Sequence, residues 1–504
     1  MPAHQLPAEG RVFLVGAGPG DPGLITLRGV ECLRRCDVVL YDYLVNPRIL
    51  RHAPPHAERV CLGRHGRDRI MPQQEINDRM VADARVGRTV VRLKGGDPAI
   101  FGRVAEEVQA LREAGIPYEI VPGITAALAA GSHAGIAVTD RDLASAVALV
   151  TGHQQEDEEA GPELEYTALA AFPGTLVFYM GVTMAESWSR ALIAAGKDSA
   201  TPVAIVRRCT WPDQETIACT LGTVAEEIAR RKLRPPAIVI VGPVSQARVV
   251  SWFEERPLFG QTVLVTRPGE QGEEMADRLH ELGATALLQP AIVIGEPDDW
   301  GPVDAALARL ADFDWIVFSS ANGVQYFMDR LLSRHGDVRK LGPVRLAAIG
   351  PRTAESLADY LLKSDATPPE EFRAESLAAE LVAQAAGRRF LLIRASRGRE
   401  VLAESLTAAG ASVTQVVAYS SQDVAAPDPE IATALEEGRI DWVTVTSSAI
   451  ARSLVNLFGE NLRKAKLASI SPVTSDTLRE FGYSPAAEAK SYTIEGLIEA
   501  IYSS

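Results

Sequence analysis

Short apolar runs rich in β-branched residues alternate with helical patterns along almost the whole chain. In the first half these runs are RVFLVG (11–16), DVVLYD (37–42), TVVRLKGG (89–96), SAVALVTG (145–152), TLVFYMG (175–181) and AIVIVG (237–242). The alternation predicts an α/β fold with largely parallel strands that are buried on both faces. Ligands of such folds bind beyond the carboxyl ends of the strands. Several of these runs end there in glycine, aspartate or lysine.

Length, charge and cysteine content narrow the functional classes. The 504 residues are enough for about three domains, and the net charge of −14 disfavours a broad nucleic-acid or anionic-membrane surface. No signal-like segment or apolar stretch of about 18 residues occurs, so we expect a cytoplasmic protein. The odd count of five cysteines predicts reduced thiols. Cys32 and Cys36 lack a second ligand pair at zinc spacing, so no metal site is expected.

The chain changes character around residues 243–260. We predict a first domain over residues 1–245, a linker over 246–259 and a second domain over 260–504. The second domain repeats itself in three pairs of segments that keep the same order: 260–284 with 387–411, 313–327 with 440–454, and 346–360 with 467–481. This repeat predicts two similar α/β lobes with a ligand site in the cleft between them.

Three glycine-containing loops follow strands in the first domain. They are VGAGPGDPGLITLRG (15–29), LKGGDPAIFGR (93–103) and VPGITAA (121–127). Each is compatible with an ordinary tight turn, but three in one domain predict a cofactor pocket. Pro19 and Pro22 interrupt the usual glycine-rich entry into a helix, which disfavours a nicotinamide dinucleotide site.

These loops, together with YDYLV, PQQEIN, the T-D-R of 139–141, TLVFYMG and PPAIVIVG, occur in the order found in uroporphyrinogen-III C-methyltransferases. The first domain therefore resembles the tetrapyrrole methylase family over about residues 10–245. The resemblance implies two α/β lobes with S-adenosylmethionine bound between them. It also implies methylation of uroporphyrinogen III at two ring carbons, which gives precorrin-2.

The resemblance assigns roles to individual positions. It places the methyl donor against Pro19, Gly95, Gly96, Asp97, Ile100, Thr125, Ala126, Met180 and Cys219. It implies that Asp42 accepts a proton, that Glu106 assists proton transfer, and that Arg103 and Arg141 grip substrate carboxylates. An ordinary surface ion pair is the other interpretation of Arg103 and Glu106.

The chain departs from the family pattern in four places. Arg64 stands where the family has a lysine that is a proposed proton donor, and we expect Arg64 to act as a charge clamp because arginine is a poor acid. Asp140 replaces a usual histidine, Gly102-Arg103-Val104-Ala105 replaces Gly-Arg-Gly-Gly, and Cys219 replaces a glycine. These changes leave open a relative that methylates a different precorrin intermediate.

The second domain carries VLVTRP, DWIVFSSANGV, LAAIGPRTAESL and TIEGLIEAI, and over about residues 260–504 it resembles uroporphyrinogen-III synthase. That family closes hydroxymethylbilane into a ring with inversion of one pyrrole, without metal or cofactor. The resemblance implies parallel sheets in two lobes joined by a two-stranded crossover. Lobe one would span about residues 260–294 plus 423–504, and lobe two about 295–422.

Hydroxyls and amides at the strand ends of this domain are expected to hold the acetate and propionate groups of the substrate. The substrate-binding candidates are Thr266, Arg267, Ser319, Ser320, Arg394, Ser447, Ser448 and Thr474. Tyr419 matches a family tyrosine that helps the hydroxyl leave, although a tyrosine half-buried at a strand end is an equally good interpretation.

The combined hypothesis is a bifunctional enzyme in which the second domain makes the substrate of the first. The expected partners are small tetrapyrroles and a second copy of the chain, bound through the methylase domain, with no nucleic acid or membrane. Two alternatives stay open at this point: methylation of another precorrin, and a tetrapyrrole-binding sensor without turnover. In either case, an acidic chain that binds octacarboxylates must concentrate its positive charge locally.

Overall fold

The computed structural model describes residues 10–63, 70–152, 164–247, 251–369, 373–398 and 400–504. The chain forms two compact units. The first contains Met1–Gln261 and His280–Thr285, and the second contains Thr262–Leu279 and Ala286–Ser504. No helix in the described ranges is long and apolar enough to cross a membrane.

The first sheet is entirely parallel, as the sequence predicts. Its strands lie in the order β3-β2-β4-β1-β5. They are β1 (Arg11–Gly16), β2 (Val38–Tyr41), β3 (Glu58–Cys61), β4 (Thr89–Lys94) and β5 (Tyr118–Val121), and the associated helices are α1 (Leu27–Leu33), α2 (Gln73–Arg85) and α3 (Val104–Glu113). Along β1, Val12 and Leu14 join one apolar cluster while Phe13 and Val15 join another. Burial on both faces explains why β1 is a continuous apolar run.

The second sheet is mixed rather than largely parallel. It contains β6 (Val147–Thr151), β7 (Thr175–Tyr179), β8 (Pro202–Arg207), β9 (Glu215–Thr220) and β10 (Ala237–Val241), in the order β6-β7-β10-β8-β9. Its helices are α4 (Ala126–Ala134), α5 (Tyr166–Ala171), α6 (Ala185–Ala194) and α7 (Val224–Arg231). The β6–β7 pair is parallel, whereas β10 pairs antiparallel with β7 and β8, and β8 with β9. A short loop joins β8 to β9, and strands joined without a crossover helix pair antiparallel.

The segment that follows the second sheet packs against the first unit. Ser251 Oγ donates to the His133 carbonyl at 2.7 Å, and the buried Phe253 ring contacts the His133 ring edge-on at 4.8 Å between centroids. Glu254 Oε1 accepts from Gln214 Nε2 at 2.9 Å. Within the predicted linker, residues 251–254 are therefore part of the first unit's packed structure.

The second unit contains two sheets. The third sheet, in the order β12-β11-β18-β19-β20, contains β11 (Thr262–Val265), β12 (Thr285–Leu288), β18 (Trp442–Val445), β19 (Lys466–Ser469) and β20 (Ala487–Glu488). The fourth, in the order β13-β17-β16-β14-β15, contains β13 (Ile292–Gly295), β14 (Trp315–Phe318), β15 (Arg345–Ala348), β16 (Arg389–Ala395) and β17 (Ser412–Asp423). The helices are α8 (Gly269–Glu281), α9 (Gly301–Leu307), α10 (Ala321–His335), α11 (Pro351–Ala358), α12 (Ala374–Val382), α13 (Val401–Ala408), α14 (Pro429–Glu436), α15 (Ser448–Phe458), α16 (Pro472–Glu480) and α17 (Ile494–Tyr502).

The sequence repeat is also a structural repeat. Neighbouring strands run β11-β18-β19 in the third sheet and β16-β14-β15 in the fourth, so each matched segment occupies the same place in its own sheet. These neighbours pair in parallel. The long strand β17 pairs in parallel with β16, and its last residues pair antiparallel with β13. This β13–β17 ribbon occupies the place of the two-stranded crossover that the resemblance implies.

Candidate active sites

The three glycine loops of the first unit meet at the carboxyl edge of the first sheet. A Cβ built on Gly16 would lie 2.6 Å from the Gly123 Cα, and a Cβ on Gly123 would lie 2.3 Å from the Gly96 carbonyl oxygen. Gly18 and Gly96 exchange backbone hydrogen bonds of 3.2 and 2.8 Å. Glycine is required here because a side chain on Gly16 or Gly123 would push the loop backbones apart.

Asp97 ties the second loop to the third. Its Oδ2 accepts from the Gly123 amide at 3.0 Å, and its Oδ1 accepts from the Ala99 amide at 2.7 Å. Gly96 has a φ of +70°, and the nearest described atom to a Cβ on it would be the Ala126 nitrogen, at 4.0 Å. The structure thus brings together four predicted cofactor residues, Gly95, Gly96, Asp97 and Ala126, with open space beside Gly96.

Tyr179 was not among the predicted site residues, but its side chain contacts residues at and beside further predicted positions. Its hydroxyl accepts from the Ala127 amide at 2.9 Å and shares a 2.5 Å hydrogen bond with Thr125 Oγ1. Its ring lies 5.0 Å from that of Phe101, which follows Ile100. Tyr179 also directly precedes Met180, so one side chain connects the start of α4, the second loop and the Met180 turn.

Three non-glycine residues around these loops adopt left-handed backbone conformations. The φ angles are 51° at Phe101, 55° at Arg103 and 53° at Met180. Each costs of order 1 kcal/mol, and such strain tends to occur at functional sites. Half of the Met180 side chain is exposed. The turn at Met180 is thus strained and partly exposed, and contact of Met180 with the methyl donor stays a prediction.

Asp42 follows β2 and receives two hydrogen bonds. Arg92 Nη2 donates to its Oδ1 at 2.6 Å, and the Gly95 amide donates to its Oδ2 at 3.3 Å. Behind it, Glu107 Oε1 accepts from Arg92 Nε at 3.0 Å and from Lys94 Nζ at 2.7 Å. The side chains of Arg92, Lys94 and Glu107 are at most 5% exposed. We call these three residues the buried charge cluster.

The sequence carried an unused signal for this cluster. Arg92 and Lys94 are two positions apart in TVVRLKGG, so they project from the same face of a buried strand. Two cations in a core need anionic partners, since burial of an unpaired charge is costly. Burial, and then the neighbouring Arg92, lower the pKa of Lys94 from its ordinary value.

The remaining predicted residues of the first unit do not meet at one point. Arg103 forms two 2.7 Å hydrogen bonds with Glu106, and both side chains are about half exposed. Arg141 is exposed, and the neighbouring Asp140 accepts from two backbone amides and so stabilises the turn. Burial raises the pKa of Cys219 on β9 to about 11. Pro19 is half-buried between Gly18 and Gly20, and Arg64 lies outside the described residues.

In the second unit, Tyr419 and Ser320 form the most specific contact among the predicted residues. The Tyr419 hydroxyl and Ser320 Oγ are 2.9 Å apart, and Tyr419 stacks on Tyr326 with 5.9 Å between ring centroids. Tyr419 is 7% exposed, and burial raises its pKa. Ser319 Oγ donates to the Ile393 carbonyl at 3.1 Å. Serine and tyrosine hydroxyls therefore meet where β14 ends and α10 begins.

Equivalent helix starts follow the strands in both sheets. Ser320, Ser447 and Ser471 cap α10, α15 and α16 in extended conformation, and each accepts a backbone hydrogen bond, at 3.0, 3.2 and 3.4 Å. Gly350 occupies the same position before α11. Helix N-termini attract anions through their free amides, so the repeat places four anion-favouring helix starts at strand ends.

Other predicted side chains are engaged within the fold. Thr266 is fully buried and donates from Oγ1 to the Thr444 carbonyl at 2.5 Å, so its hydroxyl links β11 to β18. Thr474 is 2% exposed and lies 3.1 Å from Ser471 Oγ. Arg394 binds Glu400 and Gln415 beside α13, and Ser448 Oγ accepts from Thr477 Oγ1 at 2.9 Å. For these residues, substrate contact stays a prediction.

The buried charge cluster generates a stability prediction. Glu107→Gln leaves Arg92 and Lys94 without their shared carboxylate, so we expect the first sheet to lose about 3 kcal/mol of protection. Amide exchange of full-length protein, read on peptides that cover β1 and β4, measures this loss. Glu106→Gln is the matched control, since its pair is exposed and contributes at most about 1 kcal/mol. Equal protection in the two variants would contradict the prediction.

Known proteins match both halves of the chain. The family model described as Tetrapyrrole (Corrin/Porphyrin) Methylases matches residues 11–225, and that described as Uroporphyrinogen-III synthase HemD matches residues 273–499. The chain is 34% identical to "Porphyrin biosynthesis protein HemD" of Ruminiclostridium josui, with 98% of each chain covered. It is 40% identical to the uroporphyrinogen-III C-methyltransferase of Bacillus subtilis (strain 168), over 66% of this chain and 68% of that protein.

Among solved structures, the uroporphyrin-III C-methyltransferase from Thermus thermophilus complexed with S-adenyl homocysteine is 39% identical. That match covers 47% of this chain and 94% of the solved one, with a TM-score of 0.41. The resemblances predicted for the two halves are thus confirmed by family models, and a relative matches across both of them. The chain therefore belongs to the family of this porphyrin biosynthesis protein HemD and is a bifunctional enzyme of tetrapyrrole biosynthesis, with a C-methyltransferase domain followed by a uroporphyrinogen-III synthase domain.

Proposed function

We propose that the second domain converts hydroxymethylbilane to uroporphyrinogen III with inversion of ring D. The first domain then transfers two methyl groups from S-adenosylmethionine to uroporphyrinogen III, giving precorrin-2 and S-adenosylhomocysteine. The observation that carries the proposal is the pairing of the two domains in one chain. The synthase family model and the methyltransferase relative are both named after uroporphyrinogen III. One chain would thus make a substrate and consume it.

The first unit offers a fitting site for the methyl donor. The loop at Gly95 and Gly96 is open beside Ala126, the turn at Met180 is exposed, and Asp97 holds the loops in place. When bound, S-adenosylmethionine supplies an electrophilic methyl group. The backbone groups of the Gly95-Gly96 turn would hold the polar end of the cofactor, and Ile100, Thr125 and Met180 would flank the rest.

The chain's own residues would then bind the porphyrinogen and remove a proton. Methylation of a ring carbon leaves positive charge on a pyrrole, and a carboxylate near that carbon can accept the proton that leaves. Asp42 is the candidate because its side chain is 29% exposed while Arg92 and the Gly95 amide fix its orientation. Arg103 and Arg141, both exposed, would grip acetate or propionate groups, with Glu106 paired to Arg103 and Arg64 as a further clamp.

A second candidate function keeps the synthase but gives the methylase another precorrin. The departures at Asp140 and Cys219 favour it. Asp140 stabilises its own turn, however, by accepting from the Asp142 and Leu143 amides, which is a structural reason for an aspartate there. We therefore prefer uroporphyrinogen III as the substrate.

In the second domain, binding would supply much of the catalysis. Loss of the substrate hydroxyl gives a reactive azafulvene, so folding the chain of pyrroles and excluding water favours ring closure over hydrolysis. The helix starts at Ser320, Gly350, Ser447 and Ser471 would bind its carboxylates through backbone amides. Tyr419, whose hydroxyl is held by Ser320, would donate a hydrogen bond to the leaving hydroxyl. This mechanism needs no cofactor.

We further infer that two copies associate through the methylase domain. The support is that large apolar side chains are exposed on three elements of this domain, β5, α4 and β6, and an interface between two copies would bury them. They are Tyr118, Ile120, Leu128 and Leu149, each at least 37% exposed. We place the enzyme in the cytoplasm, where its five free cysteines would stay reduced.

A coupled assay tests the proposed function. Full-length protein supplied with hydroxymethylbilane and S-adenosylmethionine should give a dimethylated product and two equivalents of S-adenosylhomocysteine, read by mass spectrometry. Uroporphyrinogen III supplied directly should give the same product. Turnover of hydroxymethylbilane without methylation of uroporphyrinogen III would sink the methylase assignment and favour another precorrin.

The Tyr179 contacts predict a defect in methyl-donor binding. Tyr179→Phe leaves the Ala127 amide without its acceptor and releases Thr125, a loss of about 1–2 kcal/mol at the start of α4. We expect the KM for S-adenosylmethionine to rise about tenfold, as measured by initial rates. Tyr118→Phe, on the exposed strand β5, also removes a tyrosine hydroxyl and should leave the KM for S-adenosylmethionine unchanged. An unchanged KM in Tyr179→Phe would show that its hydroxyl does not organise the donor site.

The Tyr419 contact predicts a defect in the synthase step. Tyr419→Phe removes the hydrogen-bond donor from the leaving hydroxyl, so we expect kcat for ring closure to fall about 100-fold with little change in KM. Tyr326→Phe keeps the stacked ring and should retain near-normal kcat. If both variants lose activity equally, the Tyr419 hydroxyl has no specific role in the reaction.

A further inference from the structure

Arg267 lies between β11 and α8 and has an unusual environment. Its guanidinium donates to Gln271 Oε1, and among the described residues it forms no ion pair. Burial, and then the nearby Arg352 guanidinium, lower its pKa to about 10. A largely buried guanidinium without a carboxylate partner is costly unless an anion joins it.

The second arginine belongs to the other sheet of the unit. Arg352 lies in the first turn of α11, which follows the fourth sheet's strand β15, whereas Arg267 follows the third sheet's strand β11. Its Nη2 donates to Glu274 Oε2 on α8 at 2.9 Å, and both side chains are about half exposed. The Arg352–Glu274 pair thus connects the part of the unit built on the third sheet to the part built on the fourth.

The local charges do not balance. Two guanidiniums and the amino end of α11, which carries a partial positive charge, meet one described carboxylate partner, Glu274. A cation in the first turn of a helix is itself disfavoured by the helix dipole. The surplus of positive charge is suited to one more anion, and a carboxylate bound by two arginines is a strong, charge-assisted arrangement.

We propose that Arg267 and Arg352 form a carboxylate-binding subsite for one acetate or propionate side chain of the synthase substrate. Glu274 is the internal counter-ion that this carboxylate displaces from Arg352. The inference rests on the proposed synthase function and extends it to two residues, Arg352 and Glu274, outside the motif-based candidates. Glu274 neutralises Arg352 until the substrate arrives.

The two partners of the pair should act in opposite directions. Arg352→Gln removes a substrate ligand, so we expect the KM for hydroxymethylbilane to rise about tenfold with kcat within about twofold. Glu274→Gln removes the competitor, so we expect the KM to fall about threefold. In the double variant the effect of Glu274→Gln should disappear, because there is no Arg352 left to release.

A purely structural ion pair predicts a different pattern. Breaking it from either side would have the same consequence, so KM changes of equal sign in Arg352→Gln and Glu274→Gln would overturn the proposal. Arg352→Lys should restore part of the affinity, since it keeps the charge but not the two-pronged geometry. Arg439→Gln is the matched control, because Arg439 pairs with Glu437 at 2.6 Å and is similarly exposed. Arg439 precedes β18, so it lies at the amino end of that strand, whereas Arg267 and Arg352 follow the carboxyl ends of theirs.

A direct binding measurement separates this inference from the proposed function. Full-length protein is titrated with uroporphyrin III, a stable octacarboxylate, and binding is followed by porphyrin fluorescence. Wild-type turnover of hydroxymethylbilane tests the synthase function independently. Tighter binding by Glu274→Gln and weaker binding by Arg352→Gln support the subsite whether or not the wild type turns over. Unchanged binding in both variants of an active enzyme overturns the subsite alone.

Discussion

The candidate methyl-donor site of the first domain depends on three loop backbones that approach within van der Waals contact of one another. Gly16, Gly96 and Gly123 meet at the carboxyl edge of the first sheet with no room for a side chain on Gly16 or Gly123. That contact fixes the loop that carries Gly95, Gly96 and Asp97. Asp97 accepts a hydrogen bond from the Gly123 amide, and the Gly95 amide donates one to Asp42. A larger residue at Gly16 or Gly123 would displace the cofactor loops and the candidate base together.

The fold could be predicted where the pattern of apolar residues is compatible with only one arrangement of the strands. The parallel first sheet was predictable because its strand segments alternate with helical patterns, which is typical of parallel α/β sheets, and because β1 is apolar on both faces. The mixed second sheet was not, because its antiparallel pairing follows from connections such as the short loop between β8 and β9, which the apolar composition of the strands does not reveal. The repeat of the second unit was predictable because matched segments must occupy matched places in two similar sheets.

The role of a site residue could be predicted where its residue type has one common role in proteins, and less well where it has several. Serines after strands were expected to hold substrate carboxylates; Ser320 and Ser447 do follow strands, where they cap helices, and their contact with substrate stays a prediction. The hydroxyl of Thr266, by contrast, links two strands, because a buried hydroxyl must find an acceptor within the protein. Arg352 and Tyr179 were missed although they lie within the family-like segments LAAIGPRTAESL and TLVFYMG, since the role of each depends on a partner distant in sequence.

The antiparallel ribbon of β13 and β17 affects the order in which the two sheets of the second domain can form during translation. β11 leaves the ribosome long before β18, and the bond from Thr266 to Thr444 spans 178 residues. The fourth sheet, however, is complete once Asp423 has emerged, and its ribbon holds Ile292 beside Asp423. The pairing of β13 with β17 closes off the chain between them, so β11 and β18 are then separated by residues 266–291 and 424–441 rather than by the whole intervening chain. The entropic cost of joining β11 to β18 falls accordingly. The ribbon thus shortens the loop that must close before a sheet built from both ends of the domain can form.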